Sequence, residues 1–245
     1  MRVLLQLAFL AGSAPAALGG ALPNQIFNIT YLTAAAAREG AVCLDGSPAA
    51  YYFFKGAKAS SFYLHQQGGG WCSSDADCLS RSKTALGSSK GYAPQMQENS
   101  GYFSNDPAVN PLMHDWSKVF LPYCDGGSQT GDLEESVAVG GSHIFYRGHR
   151  ILRALIPAVL EATGMGAATE VVLSGCSAGG LSTFLHTDIW RAALPPAAKV
   201  AALPDSGFFL SVRPSPGARG FRHPLLPLTP PSHAACPPSP TTQRL

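Results

Sequence analysis

The apolar positions of this chain fall into two periods. Short runs rich in β-branched and aromatic residues, at 41–44, 50–54, 61–65, 118–123, 170–174 and 199–203, read as strands. The turn Asp45-Gly46-Ser47-Pro48 separates the first two. Helical spacing appears in 146–163, where Ile151, Leu152, Leu155, Ile156, Val159 and Leu160 fall on one face, Gly164 is a stop and Pro157 predicts a kink. A second helix is expected over 181–194, and a shorter one near 75–84. The rest of 72–117 is polar and loop-rich, and no internal repeat is visible. Strands alternating with helices predict an α/β fold with a mainly parallel sheet and helices on both faces. In such sheets the sites gather at the carboxyl ends of the strands. Three glycine-rich loops follow predicted strands here, at 68–71, 125–128 and 175–180.

Composition narrows the class. The 245 residues fit one domain, and 46% hydrophobic content is enough for a sizeable core. Charged residues are only 13%, which argues against a nucleic-acid partner. The net charge of +2 is unevenly spread. Arg213, Arg219, Arg222 and Arg244 lie in an acid-free tail from Ser211, so the rest is slightly acidic. That tail is broken by prolines and cannot build a core.

Residues 1–19 read as a signal peptide: Arg2, an apolar run from Val3 to Leu10, then small residues. The run is too short to span a bilayer, so a secreted protein with no transmembrane segment is expected. Asn28-Ile29-Thr30 is a glycosylation sequon that agrees with secretion. In that compartment the six cysteines should partly pair, Cys72 with Cys78 first and Cys43 with Cys124 second. Cys236 lies in the tail. Expected boundaries are therefore a leader (1–19), the N-terminal part of an α/β domain (20–210) and a disordered or misread tail (211–245).

The chemistry centres on Gly175-Cys176-Ser177-Ala178-Gly179-Gly180. A strand, a G-x-S-x-G turn and a helix form the sequence signature of a nucleophile elbow, which makes Ser177 the candidate nucleophile. A bare G-x-S-x-G also occurs as a plain small-residue turn, and the flanking strand, helix and second glycine loop decide against that. The N–H of Ala178 is the expected oxyanion donor on the elbow, with Gly70 and Trp71 on the 68–71 loop. Acid and base are poorly supplied. Asp205 could orient His223, but His223 lies in the tail, and His186 and Asp188 sit too far along the helix after the elbow. His65, His114, His143 and His149 read as surface or hydrogen-bonded histidines. Cys176 reads as a small buried residue, which disfavours a thiol enzyme. No metal-binding spacing occurs, and no cofactor is implied.

Several stretches together resemble the pectin acetylesterase family, which includes the animal carboxylesterase Notum. They are Ala41-Val42-Cys43-Leu44-Asp45-Gly46-Ser47, Gly68-Gly69-Gly70-Trp71-Cys72, Asn110-Pro111 with Asp115-Trp116, Tyr123-Cys124-Asp125-Gly126-Gly127-Ser128, Phe145-Tyr146-Arg147-Gly148-His149-Arg150-Ile151, Leu173-Ser174-Gly175-Cys176-Ser177-Ala178-Gly179-Gly180-Leu181 and Asp205-Ser206-Gly207-Phe208-Phe209. They run in family order, closer to the plant type. The resemblance implies an α/β-hydrolase-like fold, a Ser-His-Asp triad, secretion and no cofactor. It matches Ser177 to the nucleophile and Gly70, Trp71 and Ala178 to the oxyanion donors. Plant-type members have cysteines where this chain has Thr187 and Ala202. The family's triad Asp and His lie beyond the point where the similarity stops, near Leu210, so the C-terminal part of the fold is expected to be missing. Asp205 is not the family's triad acid. The implied activity is O-deacetylation of an acetylated, pectin-like polysaccharide. The alternative is a catalytically inactive, glycan-binding or vestigial member. Oligomeric state is not legible.

Overall fold

A computed structural model describes residues 24–209. The leader and the tail, with His223 and Cys236, lie outside the described residues. The elements are β1 (Ile26–Tyr31), α1 (Thr33–Glu39), β2 (Ala50–Phe54), β3 (Lys58–Gln66), α2 (Asp75–Arg81), β4 (Gln95–Gln97), β5 (Trp116–Leu121), β6 (Val137–Val139), β7 (Ser142–Ile144), α3 (Gly148–Thr163), β8 (Glu170–Cys176), α4 (Ala178–Ala193) and β9 (Lys199–Asp205). One seven-stranded sheet has the order β4-β1-β2-β5-β3-β8-β9, and β6 pairs with β7 apart from it. The pairings β5-β3, β3-β8 and β8-β9 are parallel, while β4-β1, β1-β2 and β2-β5 are antiparallel. Five of the seven strands therefore point one way, with β2 and β4 reversed. The parallel half is α/β-hydrolase-like and carries the site.

Strand alternation divides the core. Phe62, Leu64, Val119, Leu121, Val171 and Leu173 face one side, where they pack against Leu152, Leu155 and Val159 of α3 and Trp190 of α4. Tyr52, Tyr63 and Phe120 face the other, against Phe103 and Met113. Helices were expected on both faces. Among the described residues the long helices α3 and α4 share the first face. The second is covered by irregular chain around a short 3-10 turn, Gly101–Phe103. The run 98–115 is too rich in Asn, Asp, Gly and Pro to continue a helix, yet it still supplies two apolar plugs.

Other differences have local causes. Residues 41–44 are not a strand: the turn closes at once (Gly46 N–H to Cys43 C=O, 3.0 Å; Cys43 N–H to Ser47 C=O, 2.8 Å), leaving a single bridge between Val42 and Pro48. α3 runs through Pro157 without a break. Its apolar face is packed on the sheet, which outweighs the roughly 3 kcal/mol that an interior proline costs. β9 reaches two residues further than read and contains Pro204, which is tolerated where β9 lies at the edge of the sheet formed by the described residues. Asn28 of the sequon lies exposed on β1.

Both expected disulfides are present, Cys72–Cys78 and Cys43–Cys124. The second bridges a separation of 81 residues inside the main core. Closing a loop of that length restricts the unfolded chain by about 4 kcal/mol. Replacing both cysteines by alanine should therefore lower unfolding free energy in urea by about that amount. A loss below about 1 kcal/mol would show that this cross-link contributes little.

Candidate active site

The strands β3, β5 and β8 end side by side at Gln66, Leu121 and Cys176, and each feeds one of the three glycine loops. Ser177 stands between β8 and the first residue of α4, with φ 56° and ψ −117°. That backbone is strained for any residue with a Cβ, by about 1–3 kcal/mol, and persists only where its surroundings fix it. The surroundings do so. The Ser177 N–H donates to the Asp205 carbonyl (3.0 Å), and its own carbonyl accepts the Leu181 N–H (3.0 Å).

The glycines of the turn are there because main chain passes main chain. A Cβ on Gly175 would stand 2.2 Å from the Gly179 carbonyl oxygen, and one on Gly179 would stand 2.0 Å from that of Gln66. The side chains beneath the turn are polar and mutually bonded. Ser182 Oγ donates to Gln66 Oε1 (2.6 Å) and meets Gln129 Oε1 (3.1 Å), while Gln66 Nε2 donates to Thr183 Oγ1 (3.1 Å). Cys176 is buried, and no cysteine among the described residues is free.

The 68–71 loop lies directly against the elbow. A Cβ on Gly68 would be 2.1 Å from the Cys176 carbonyl oxygen and 3.2 Å from Ser177 Cβ. Gly69 and Gly70 then take φ of 140° and 67°, open to glycine and costly for other residues. Their carbonyls are held back by the protein: Arg81 donates to Gly69 (2.9 Å) and Tyr123 Oη to Gly70 (2.9 Å). A loop in such a conformation can present successive N–H groups to an anion. The 125–128 loop joins the 68–71 loop through Cys72 N–H to the Gly126 carbonyl (3.2 Å). The structure thus brings Ser177, Gly70, Trp71 and Ala178 to one end of the sheet.

Acid and base fare differently. Asp205 ends β9 and meets the elbow through its main chain, while its carboxylate accepts from Ser206 Oγ (3.2 Å). His186 is buried with Nε2 on the Ser128 carbonyl (3.0 Å), which requires that nitrogen to carry the proton. Its position on α4 is about 12 Å along the axis from Ala178. Burial lowers its pKa. His65 is buried too, its ring stacked on Phe120 and its Nδ1 2.9 Å from Tyr63 Oη. No cluster of three or more metal-ligating side chains occurs among the described residues.

Asp125 was missed as a functional candidate, although its loop was singled out. It is fully enclosed, and Oδ2 accepts the N–H groups of Gly127 (3.1 Å) and Gln129 (2.9 Å). A Cβ on Gly148, at the start of α3, would lie 2.2 Å from that oxygen. Burial pushes the carboxyl up to about 6. The sequence signal was an acid immediately before Gly-Gly and a glycine opening a helix.

These two buried groups pull stability in opposite directions with pH. Burial holds His65 down to about 3, so between 6.5 and 3 the unfolded chain binds a proton that the fold refuses. Its contribution is complete above 6.5 and is lost as pH falls. Asp125 keeps its proton to about 6 against 3.8 when unfolded, so its burial costs nothing below 3.8 and increasingly more up to 6. His65→Phe should therefore remove the acid-side loss alone. Relative to that variant, the wild type should lose roughly 2–3 kcal/mol between about pH 6.5 and 4.5, read by urea unfolding. Parallel pH curves for the two proteins would contradict this.

Comparison with known proteins gives one consistent answer. Residues 22–227 match the family model described as Pectinacetylesterase. Pectin acetylesterase 11 of Arabidopsis thaliana is 43% identical over 185 residues, covering 74% of this chain and 46% of that protein. Human palmitoleoyl-protein carboxylesterase NOTUM is 32% identical over 174 residues, covering 69% and 34%. A solved structure of the Wnt deacylase Notum from Drosophila superposes with a TM-score of 0.66 at 28% identity, covering 78% of this chain and 56% of that one. The chain spans a little under half the length of the plant relatives it matches.

Proposed function

This chain belongs to the pectinacetylesterase family, and on that premise we propose that it is a secreted carboxylic ester hydrolase that removes O-acetyl groups from a pectin-like cell-wall polysaccharide. The observation that carries the reading is the strained Ser177 between β8 and α4 with the 68–71 loop packed against it. The Cys43–Cys124 and Cys72–Cys78 disulfides support an oxidising, extracellular setting. No helix among the described residues is long and apolar enough to cross a membrane.

In this reading Ser177 Oγ attacks the acetyl carbonyl carbon as its proton passes to a base. The carbonyl oxygen becomes an oxyanion facing the N–H groups of Gly70, Trp71 and Ala178. Collapse expels the sugar oxygen, which takes up the proton, and leaves an acetyl-enzyme. Water then attacks that ester, releasing acetate and restoring the serine. Asp205 and His223 are the candidates this chain carries for acid and base.

The second reading is a glycan-binding member without turnover. It is favoured by His186, whose Nε2 is committed to the Ser128 carbonyl (3.0 Å) rather than turned to Ser177. One experiment separates the two. The secreted full chain is incubated with acetylated pectin, acetate is quantified, and retention on the same polymer is measured. Acetate release supports the esterase; retention without acetate supports the binder. Neither result would reject both.

A further inference from the structure

Ser128 lies at the meeting point of the three loops, and every polar atom it owns is engaged. Its N–H donates to Tyr123 Oη (3.1 Å), and its carbonyl accepts from His186 Nε2 (3.0 Å). Its hydroxyl accepts from Trp71 Nε1 (2.7 Å) and donates to the Ala178 carbonyl (2.8 Å). Tyr123 Oη in turn donates to the Gly70 carbonyl (2.9 Å). The residue is buried and held at φ 51°.

We propose that Ser128 is the positioning residue of the oxyanion site, tying Gly70, Trp71 and Ala178 into one rigid frame around Ser177. The inference rests on the esterase reading for the roles of those residues. The physical need is specific. Oxyanion donors must be fixed to within about 0.5 Å, and two of the three come from a glycine loop with few side chains to anchor it. A hydroxyl both accepts and donates. Ser128 therefore holds Trp71 by its indole and Ala178 by its carbonyl, and reaches Gly70 through a single tyrosine. At φ 51° a side chain carries strain that glycine would not, as at Gly126 with φ 69°. Retaining a side chain there makes sense if the hydroxyl is needed. His186, too far along α4 to serve as base, closes the frame from the other side.

The test uses the full chain with Ser128→Ala and Ser128→Gly. The glycine variant suits the left-handed backbone and so folds even if the alanine variant is compromised. The first readout is the NMR positions of the Trp71 indole N–H, assigned with Trp71→Phe, and of the Gly70, Trp71 and Ala178 amides. All four should move in both variants, with the melting temperature of Ser128→Gly near that of wild type. Unmoved amides overturn the proposal. The second readout is p-nitrophenyl acetate hydrolysis, where kcat should fall about a hundredfold with KM within about threefold. A kcat within twofold of wild type in both variants also overturns it. A wild type without turnover rejects the esterase reading instead, and the resonance positions then decide this proposal alone.

Discussion

Ser177→Ala is expected to reduce acetyl-ester turnover to less than about one part in ten thousand, with substrate retention unchanged. Removing a nucleophile costs this much because the remaining groups stabilise only the weak attack of water. The same change should abolish covalent labelling by a fluorophosphonate. The backbone gives a companion prediction that a merely structural serine would not share. Ser177 is held at φ 56° and ψ −117°, a conformation that glycine adopts far more easily. Ser177→Gly should therefore be as inactive as the alanine variant yet more thermostable than wild type, by about 1–3 kcal/mol of relieved strain. Stability and activity would move in opposite directions at one atom group, as expected where a fold holds strain for function. Turnover above a tenth of wild type in Ser177→Ala would remove Ser177 from the mechanism.

How much of this could be read from the chain depends on the range of the interaction. The elbow was legible because its requirement is local: a strand, a turn too crowded for side chains and a helix leave a signature within a dozen residues. The three loops were legible for the same reason. Their convergence followed from one topological rule, that parallel strands end on the same side. The disulfides could be guessed from spacing for Cys72–Cys78, but Cys43–Cys124 joins the 41–48 turn to the residues after β5 across 81 positions, which spacing does not reveal. The antiparallel half was only partly visible. β4 is three residues long and polar on its exposed positions, so its pairing with β1 has no periodicity to announce it. The frame of Gln66, Gln129, Ser182 and Ser128 was least visible. Each is an ordinary polar residue in sequence, and only the fold shows that they share one buried volume. His186 carried the opposite risk. A histidine soon after a nucleophile invites assignment as the base, yet helix geometry takes it away from Ser177 and its bond goes to the Ser128 carbonyl.

Gly179→Ala should be severe, and in the direction opposite to helix propensity. Gly179 is the second residue of α4, and within a helix alanine normally stabilises by about 1 kcal/mol over glycine. Here the added carbon would lie 2.0 Å from the Gln66 carbonyl oxygen, 2.7 Å from Gln66 C and 2.9 Å from Gln67 C. All three are backbone atoms at the end of β3, so no side chain can rotate away. Relief requires α4 to retreat from β3 or the 68–71 loop to shift, and both carry the proposed oxyanion donors. The expected cost is about 3 kcal/mol or more, roughly 10 °C in melting temperature for a domain of this size, with turnover lost beyond what stability explains. Gly91→Ala is the matched control: its added carbon would meet nothing within 4 Å, and stability should stay within about 0.5 kcal/mol. If the two variants melted together, the close approach of α4 to β3 would not be what fixes the elbow, and the strain at Ser177 would need another source.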